Sequence, residues 1–102
     1  MQIAPHCPIG PVALAACVQL DLAVPNFYAP EHIIDLRSPD SPDLAYLRNP
    51  EALVAVSGHL DRPTGPGLGI EVDGKAVRKA GELGHAWRSP VWRHADGSFA
   101  EW

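Results

Sequence analysis

Ile3-Ala4-Pro5-His6-Cys7-Pro8-Ile9-Gly10-Pro11-Val12-Ala13-Leu14-Ala15-Ala16-Cys17-Val18, continuing through Leu22 to Val24-Pro25-Asn26-Phe27-Tyr28-Ala29-Pro30-Glu31, decides how this chain is read. Met1 to Ala4 is a short extended stub that stops at Pro5, because the residue before a proline is held out of helix. Gly10-Pro11 opens a helix, since proline is at home in a first turn whose N–H groups have no partner anyway. From Pro11 to about Leu22, the residues Leu14, Val18 and Leu22 recur every four positions with Ala15 beside them, which makes one apolar stripe. Val24 to Ala29 then reads as a short strand, with Pro25 tolerated only near its beginning. Stub, loop, helix and strand in this order outline a βαβ unit, and so an α/β class.

The composition limits what can surround that unit. A chain of 102 residues has room for one modest core, and its 46% apolar and 20% charged content is that of a folded domain. Eight basic against twelve acidic side chains leave a net charge of -4, which argues against a nucleic-acid partner. Nine Gly and eleven Pro predict many loops and short regular elements. A complete eight-stranded barrel needs at least roughly 200 residues, so only part of one is accommodated here.

Cys7 and Cys17 lack C-x-x-C spacing and read as two reduced thiols of a cytoplasmic protein. No apolar run approaches the ~20 residues that cross a bilayer, so no membrane partner is expected. Leu14-Ala15-Ala16-Cys17 has the form of a lipoprotein cleavage box, which would place a lipid on Cys17. The preceding stretch lacks Lys and Arg and is interrupted by Pro5, Pro8 and Pro11, unlike a secretory signal.

Beyond Glu31 the texture changes. Ser38-Pro39-Asp40-Ser41-Pro42-Asp43 is loop chemistry. Leu53 to Leu60 and Leu68 to Val72 are candidate strands, the second followed by an Asp73-Gly74 turn, and Lys75 to Leu83 suits a short helix ending at Gly84. The tail from Trp87 to Trp102 holds three Trp and Phe99, and an aromatic tail of this kind has to pack on something. Three parts follow: 1–31 as the strand–helix–strand unit, 32–52 as a variable loop, and 53–102 as a C-terminal segment.

Two residues stand out as chemistry. His6 lies where α/β folds place reactive groups, after a strand and before a helix, and imidazole suits proton transfer near neutral pH. A structural histidine is the alternative. Glu31 occupies the matching place after the second strand, and neighbouring parallel strands lie about 4.8 Å apart, so both groups would enter one pocket. A carboxyl there can orient a substrate hydroxyl or donate to a developing oxyanion, while a solvated loop glutamate is the other reading. Gly65-Pro66-Gly67-Leu68-Gly69 lacks the spacing and the Lys-Ser/Thr ending of a phosphate loop and reads as a turn. His32, His59, His85 and His94 show no metal-ligand spacing. Arg88 and Arg93 flank Trp92 and could stack on aromatic faces.

The motifs Ala4-Pro5-His6-Cys7-Pro8-Ile9-Gly10-Pro11, Val12 to Cys17, Val24-Pro25-Asn26-Phe27, Gly65 to Asp73, Trp87-Arg88-Ser89-Pro90, Trp92-Arg93-His94 and Ala100-Glu101-Trp102 come in the order found in galactonate dehydratases. The chain closely resembles that group, within the mandelate racemase branch of the enolase superfamily, throughout except between about His32 and Ala52. The resemblance implies the C-terminal portion of a TIM-like (β/α) barrel, incomplete, with its last strand–helix–strand unit, a C-terminal hairpin and an aromatic tail packed on barrel and capping domain. It implies a hydro-lyase that dehydrates a galactonate-like sugar acid to a 2-keto-3-deoxy acid. A base removes the proton α to the carboxylate, Mg2+ holds the developing enediolate, and the β-hydroxyl leaves as water.

On this resemblance His6 matches the α-proton base and Glu31 the carboxyl that hydrogen-bonds substrate and enediolate. The magnesium-binding carboxylates, a second histidine and the capping domain are expected upstream of Met1, so the chain itself is expected to hold no metal ligand. Pro30 stands where many relatives carry glutamine. A fragment inactive alone is the expectation. The competing reading is a non-catalytic interaction module whose cut strand edges pair with an upstream fragment or with each other.

Overall fold

A computed structural model describes residues 1–84, 86 and 91–100. Its order is strand β1 (His6–Cys7), helix α1 (Pro11–Ala23), strand β2 (Glu31–His32), two 3-10 turns (Pro42–Leu44 and Pro50–Leu53) and helix α2 (Gly74–Gly81). The α/β character is present, with β1 and β2 parallel and joined through α1. The expected strand over Val24 to Ala29 is displaced toward the C-terminus. Phe27 forms only a bridge to Ile3, and regular pairing begins at Glu31. Both His6 and Glu31 therefore lie within strands rather than after them. Pro5, Pro8 and Pro30, which cannot donate to a ladder, keep each strand to two residues.

Helix α1 begins as predicted at Pro11, with the Leu14 N–H donating to the Gly10 carbonyl at 3.0 Å. Its buried face is Pro11, Leu14, Ala15, Val18 and Asp21, not Leu22, which is exposed. At about 100° per residue, position 21 falls about 20° from Leu14 around the helix, whereas position 22 falls about 80° away. The four-residue stripe read from the sequence thus drifts off the core, and a carboxylate takes the place where leucine was expected.

Leu14, Leu44, Leu53 and Cys7 are fully buried and form the centre of one core with Ala15, Val18, Ile34, Leu36 and Leu47. Four of these come from the segment read as a variable loop. Its turns are pinned: Ser41 Oγ accepts from the Asp43 N–H at 3.3 Å, and Asp43 Oδ2 accepts from the Asp35 N–H at 2.7 Å. The Asp35 carboxyl itself is held down at about 2, chiefly by the side-chain hydrogen bond from Arg37.

Neither downstream strand forms as read. Leu53 closes a 3-10 turn, and Val56 and His59 bridge across a tight turn. Leu68 to Val72 contributes a single antiparallel bridge, Val72 to Leu47, and is otherwise held by Asn49, whose Oδ1 accepts from the Glu71 N–H at 2.6 Å. Asp73 does not make a hairpin turn. It caps α2, its Oδ1 accepting from the N–H groups of Lys75 and Ala76, and these donors hold its carboxyl below the usual range.

The Gly65–Gly69 stretch is the expected turn, closed by the Gly69 N–H donating to the Pro66 carbonyl at 3.1 Å. Gly69 has φ +76, and a Cβ there would collide with the Pro63 side chain. Gly69→Ala is expected to lower unfolding free energy by about 1–3 kcal/mol through overpacking and left-handed strain, read from a urea midpoint.

A hairpin spans Trp92 to Ala100, with Arg93 bridging Phe99 and its guanidinium 4.3 Å from the Phe99 ring centroid. Arg93 therefore stacks on Phe99 rather than Trp92. Trp92 and Phe99 stay exposed, so within the described residues this aromatic tail packs on nothing of the chain's own core. His85, Trp87, Arg88, Ser89, Pro90, Glu101 and Trp102 lie outside the described residues.

Candidate active site

The two paired points of the sheet are unequally spaced. Between the Ile3–Phe27 bridge and the His6–Glu31 pair, the first segment has two residues and the second has three, Tyr28, Ala29 and Pro30. The extra residue is accommodated as a bulge, and Pro30 sits where no ladder N–H is required. Its effect is large because strand side chains alternate faces. Continued without the bulge, the register would set Glu31 opposite Cys7. With it, Glu31 is opposite His6 and His32 opposite Cys7.

The outcome is two faces of different character. Cys7 is buried, while His6 and Glu31 project together from the other face with His6 Nδ1 3.1 Å from Glu31 Oε2. The ladder is anchored beside them by the Glu31 N–H donating to the Pro5 carbonyl at 2.9 Å. The two side chains are 65% and 69% exposed, so the pair opens to solvent instead of lying in a closed cavity. Deleting Ala29 should remove the bulge and make the two segments equal in length, which keeps Glu31 opposite His6. The ring nitrogen shifts of His6 should then still show the proton on Nδ1, and loss of that preference would contradict the register argument.

Behind the pair, the Cys17 thiol faces Cys7, and burial first, then the hydrogen bond to Cys7, pushes it up. Cys17 lies mid-helix against the core, and both thiols are free. Among the described residues no group of three or more His, Cys, Asp and Glu could hold a metal ion, and no helix is long and apolar enough to cross a membrane.

Asp21 is not among the candidates that the sequence singles out, and His32 stands out there only as lacking metal-ligand spacing. Asp21 is 7% exposed, and its two carboxylate oxygens, together with His32 Nδ1, are buried without a partner among the described residues. Burial pushes the Asp21 carboxyl up. The available signal was that Asp21 is the lone charge in α1, seven positions after Leu14. Because the folded state holds this proton more tightly than the unfolded chain, stability should fall as pH rises from the ordinary carboxyl range through the raised value. Asp21→Asn should remove that slope in urea titrations across acid pH, and a retained slope would place its origin elsewhere.

Residues 1–77 match the enolase C-terminal domain-like family model. The chain belongs to the enolase C-terminal domain-like family. Both His6 and Glu31 lie inside the matched region. Among relatives of this family member, D-galactonate dehydratase of Xanthomonas axonopodis pv. citri is 43% identical over 100 residues, covering 97% of this chain and 26% of that protein. The protein of the same name from Xanthomonas campestris pv. campestris is 44% identical over 100 residues, with the same coverage. That of Ralstonia nicotianae is 41% identical over 101 residues, 98% of this chain and 26% of the relative. The chain thus spans about a quarter of the length of the curated relatives it matches, and the resemblance to galactonate dehydratases drawn from its motifs holds.

Proposed function

We propose that this chain supplies the His6–Glu31 pair for dehydration of a galactonate-like sugar acid, within an assembly that includes further polypeptide. The observation that carries this is the 3.1 Å approach of His6 Nδ1 to Glu31 Oε2 across the parallel register. A carboxylate at Nδ1 favours the tautomer protonated there and leaves the Nε2 lone pair outward, free to accept a proton from carbon α to a carboxylate. The Glu31 oxygen not engaged with His6 is available to a substrate hydroxyl and, when protonated, to an enediolate oxygen. The ligands of the implied Mg2+ fall to the rest of the assembly, and this chain's own part is to position the imidazole and the carboxyl.

The barrel origin of the βαβ unit, a place in the cytoplasm and the need for a partner belong to the same reading. Three observations support the need for a partner. The relatives are about four times as long. The radius of gyration is 17.2 Å against about 13 Å for a compact chain of this size. The pair is open to water, which weakens an exposed ion pair and leaves a reacting centre unshielded.

The purified chain alone is expected to show no turnover of D-galactonate with Mg2+. Mixed with the part of a relative outside the matched 26%, it should restore 2-keto-3-deoxy acid formation, measured colorimetrically. Turnover by the isolated chain, or none by the mixture, would reject the proposal. A second reading, a non-catalytic interaction module, is favoured by the unpaired outer edges of β1 and β2 within the described sheet. A complex that forms without turnover would select it. A lipid on Cys17 has no support from the thiol's place inside α1.

A further inference from the structure

Asp21 and His32, the residues that carry the three orphaned atoms, line one partly open cavity of about 510 Å³ together with Leu14, Val18, Leu36 and Leu60. Asp21 is more than nine-tenths buried, and neither of its oxygens, nor His32 Nδ1, has a partner among the described residues. We propose that this cavity seats an arginine side chain of a partner polypeptide, its guanidinium held by both carboxylate oxygens of Asp21 and by His32 Nδ1.

The chemistry of the orphans points to the occupant. A carboxylate is an acceptor at both oxygens, and Nδ1 is an acceptor when the ring proton sits on Nε2. Three acceptors call for a group that only donates. A guanidinium offers five N–H donors in a planar fork that meets both oxygens of one carboxylate, whereas an ammonium is a point charge without that geometry. The leucine and valine walls suit the methylene stem of an arginine, which buries readily beneath its charged head. A carboxylate left buried and unpaired is costly, and a donated guanidinium removes that cost.

Of the chain's own arginines, Arg37 sits on Asp35, Arg48 near Asp73 and Arg93 on the Gly97 carbonyl, and among the described residues no arginine lines this cavity. The relatives carry nearly three quarters of their length beyond the matched part, which is the source assigned to the arginine. Only this source rests on the proposed assembly. The acceptor set itself does not.

The test uses the isotope-labelled 102-residue chain, titrated separately with N-butylguanidinium, n-butylammonium and magnesium chloride while the Asp21 carboxyl and His32 ring signals are followed. N-butylguanidinium should saturate both signals in the millimolar range, and Asp21→Asn should weaken it by at least about tenfold. Asp21→Leu, which removes the buried charge, should unfold at higher urea than the parent chain and lose the response entirely. An unchanged response in Asp21→Asn, saturation by Mg2+ at lower concentration, or no saturation by about 100 mM guanidinium, far above millimolar affinity, would overturn the site.

A second arm measures binding of the chain to the non-matching part of a relative by analytical gel filtration. Asp21→Asn should weaken that complex at least about tenfold. Equal affinity, or no complex with the parent chain, would overturn the polypeptide source. Neither arm reads turnover, so failure of the dehydration proposal and failure of this site are separable.

Discussion

His6→Asn is expected to lower turnover of D-galactonate by about a thousandfold in the assembly formed with the remainder of a relative, within the usual range for loss of a positioned general base. The reason lies in the weak acidity of a proton α to a carboxylate: water at neutral pH is a poor base for it, and a side chain held in place must take it. Asparagine keeps the size and a polar atom near the Nδ1 position but has nothing to accept a proton at the Nε2 position. Loss of α-proton exchange with deuterated solvent in parallel with loss of turnover would identify His6 with the proton-transfer step. Retention of turnover within tenfold would reject His6 as the base.

Glu31→Gln separates orientation from proton transfer. It keeps an acceptor 3.1 Å from the ring but removes the charge that favours the Nδ1-protonated tautomer, so a smaller loss, about 10- to 100-fold, is expected. A glutamine variant as defective as His6→Asn would give Glu31 a direct part in the chemistry, as a donor to the enediolate.

The second large effect is on stability. Leu14→Ala should cost about 2–5 kcal/mol, because Leu14 is 0% exposed at the crossing of α1 with the core and its loss leaves a cavity. For a small domain whose total stability is of order 5–15 kcal/mol, that is enough to depopulate the fold at moderate urea. Leu22→Ala is the matched comparison. Leu22 is exposed, so its truncation should change stability by no more than about 0.5 kcal/mol. Equal costs at the two positions would mean that α1 does not present the face described, and would remove Asp21 from the interior as well.

Much of the architecture could be read from local rules. Pro11 in a first helical turn set where α1 starts, the Ala-rich stretch made it helical, and the prolines at 5, 8 and 30 kept the flanking strands short. His6 and Glu31 were singled out from their expected places just after two strands, and they lie within those strands instead. Alternating residues at 68, 70 and 72 misled, because alternation reports exposure on two sides and says nothing of whether a neighbouring strand exists to pair with. Asp73 before Gly74 misled for a related reason, since a short acid ahead of glycine suits a hairpin turn and a helix cap equally.

Residue types and local spacing, then, were enough to give the α/β character of this chain and the bounds of its main helix, and to single out His6 and Glu31 as candidates. That His6 faces Glu31 and not Pro30 depends on one extra residue between two paired points, and so on register, which is a relation between segments more than twenty positions apart. The burial of Asp21 has the same origin. A helix carries its side chains around its axis at a constant angle, and only the walls packed against it determine which of two adjacent residues is enclosed and which meets water.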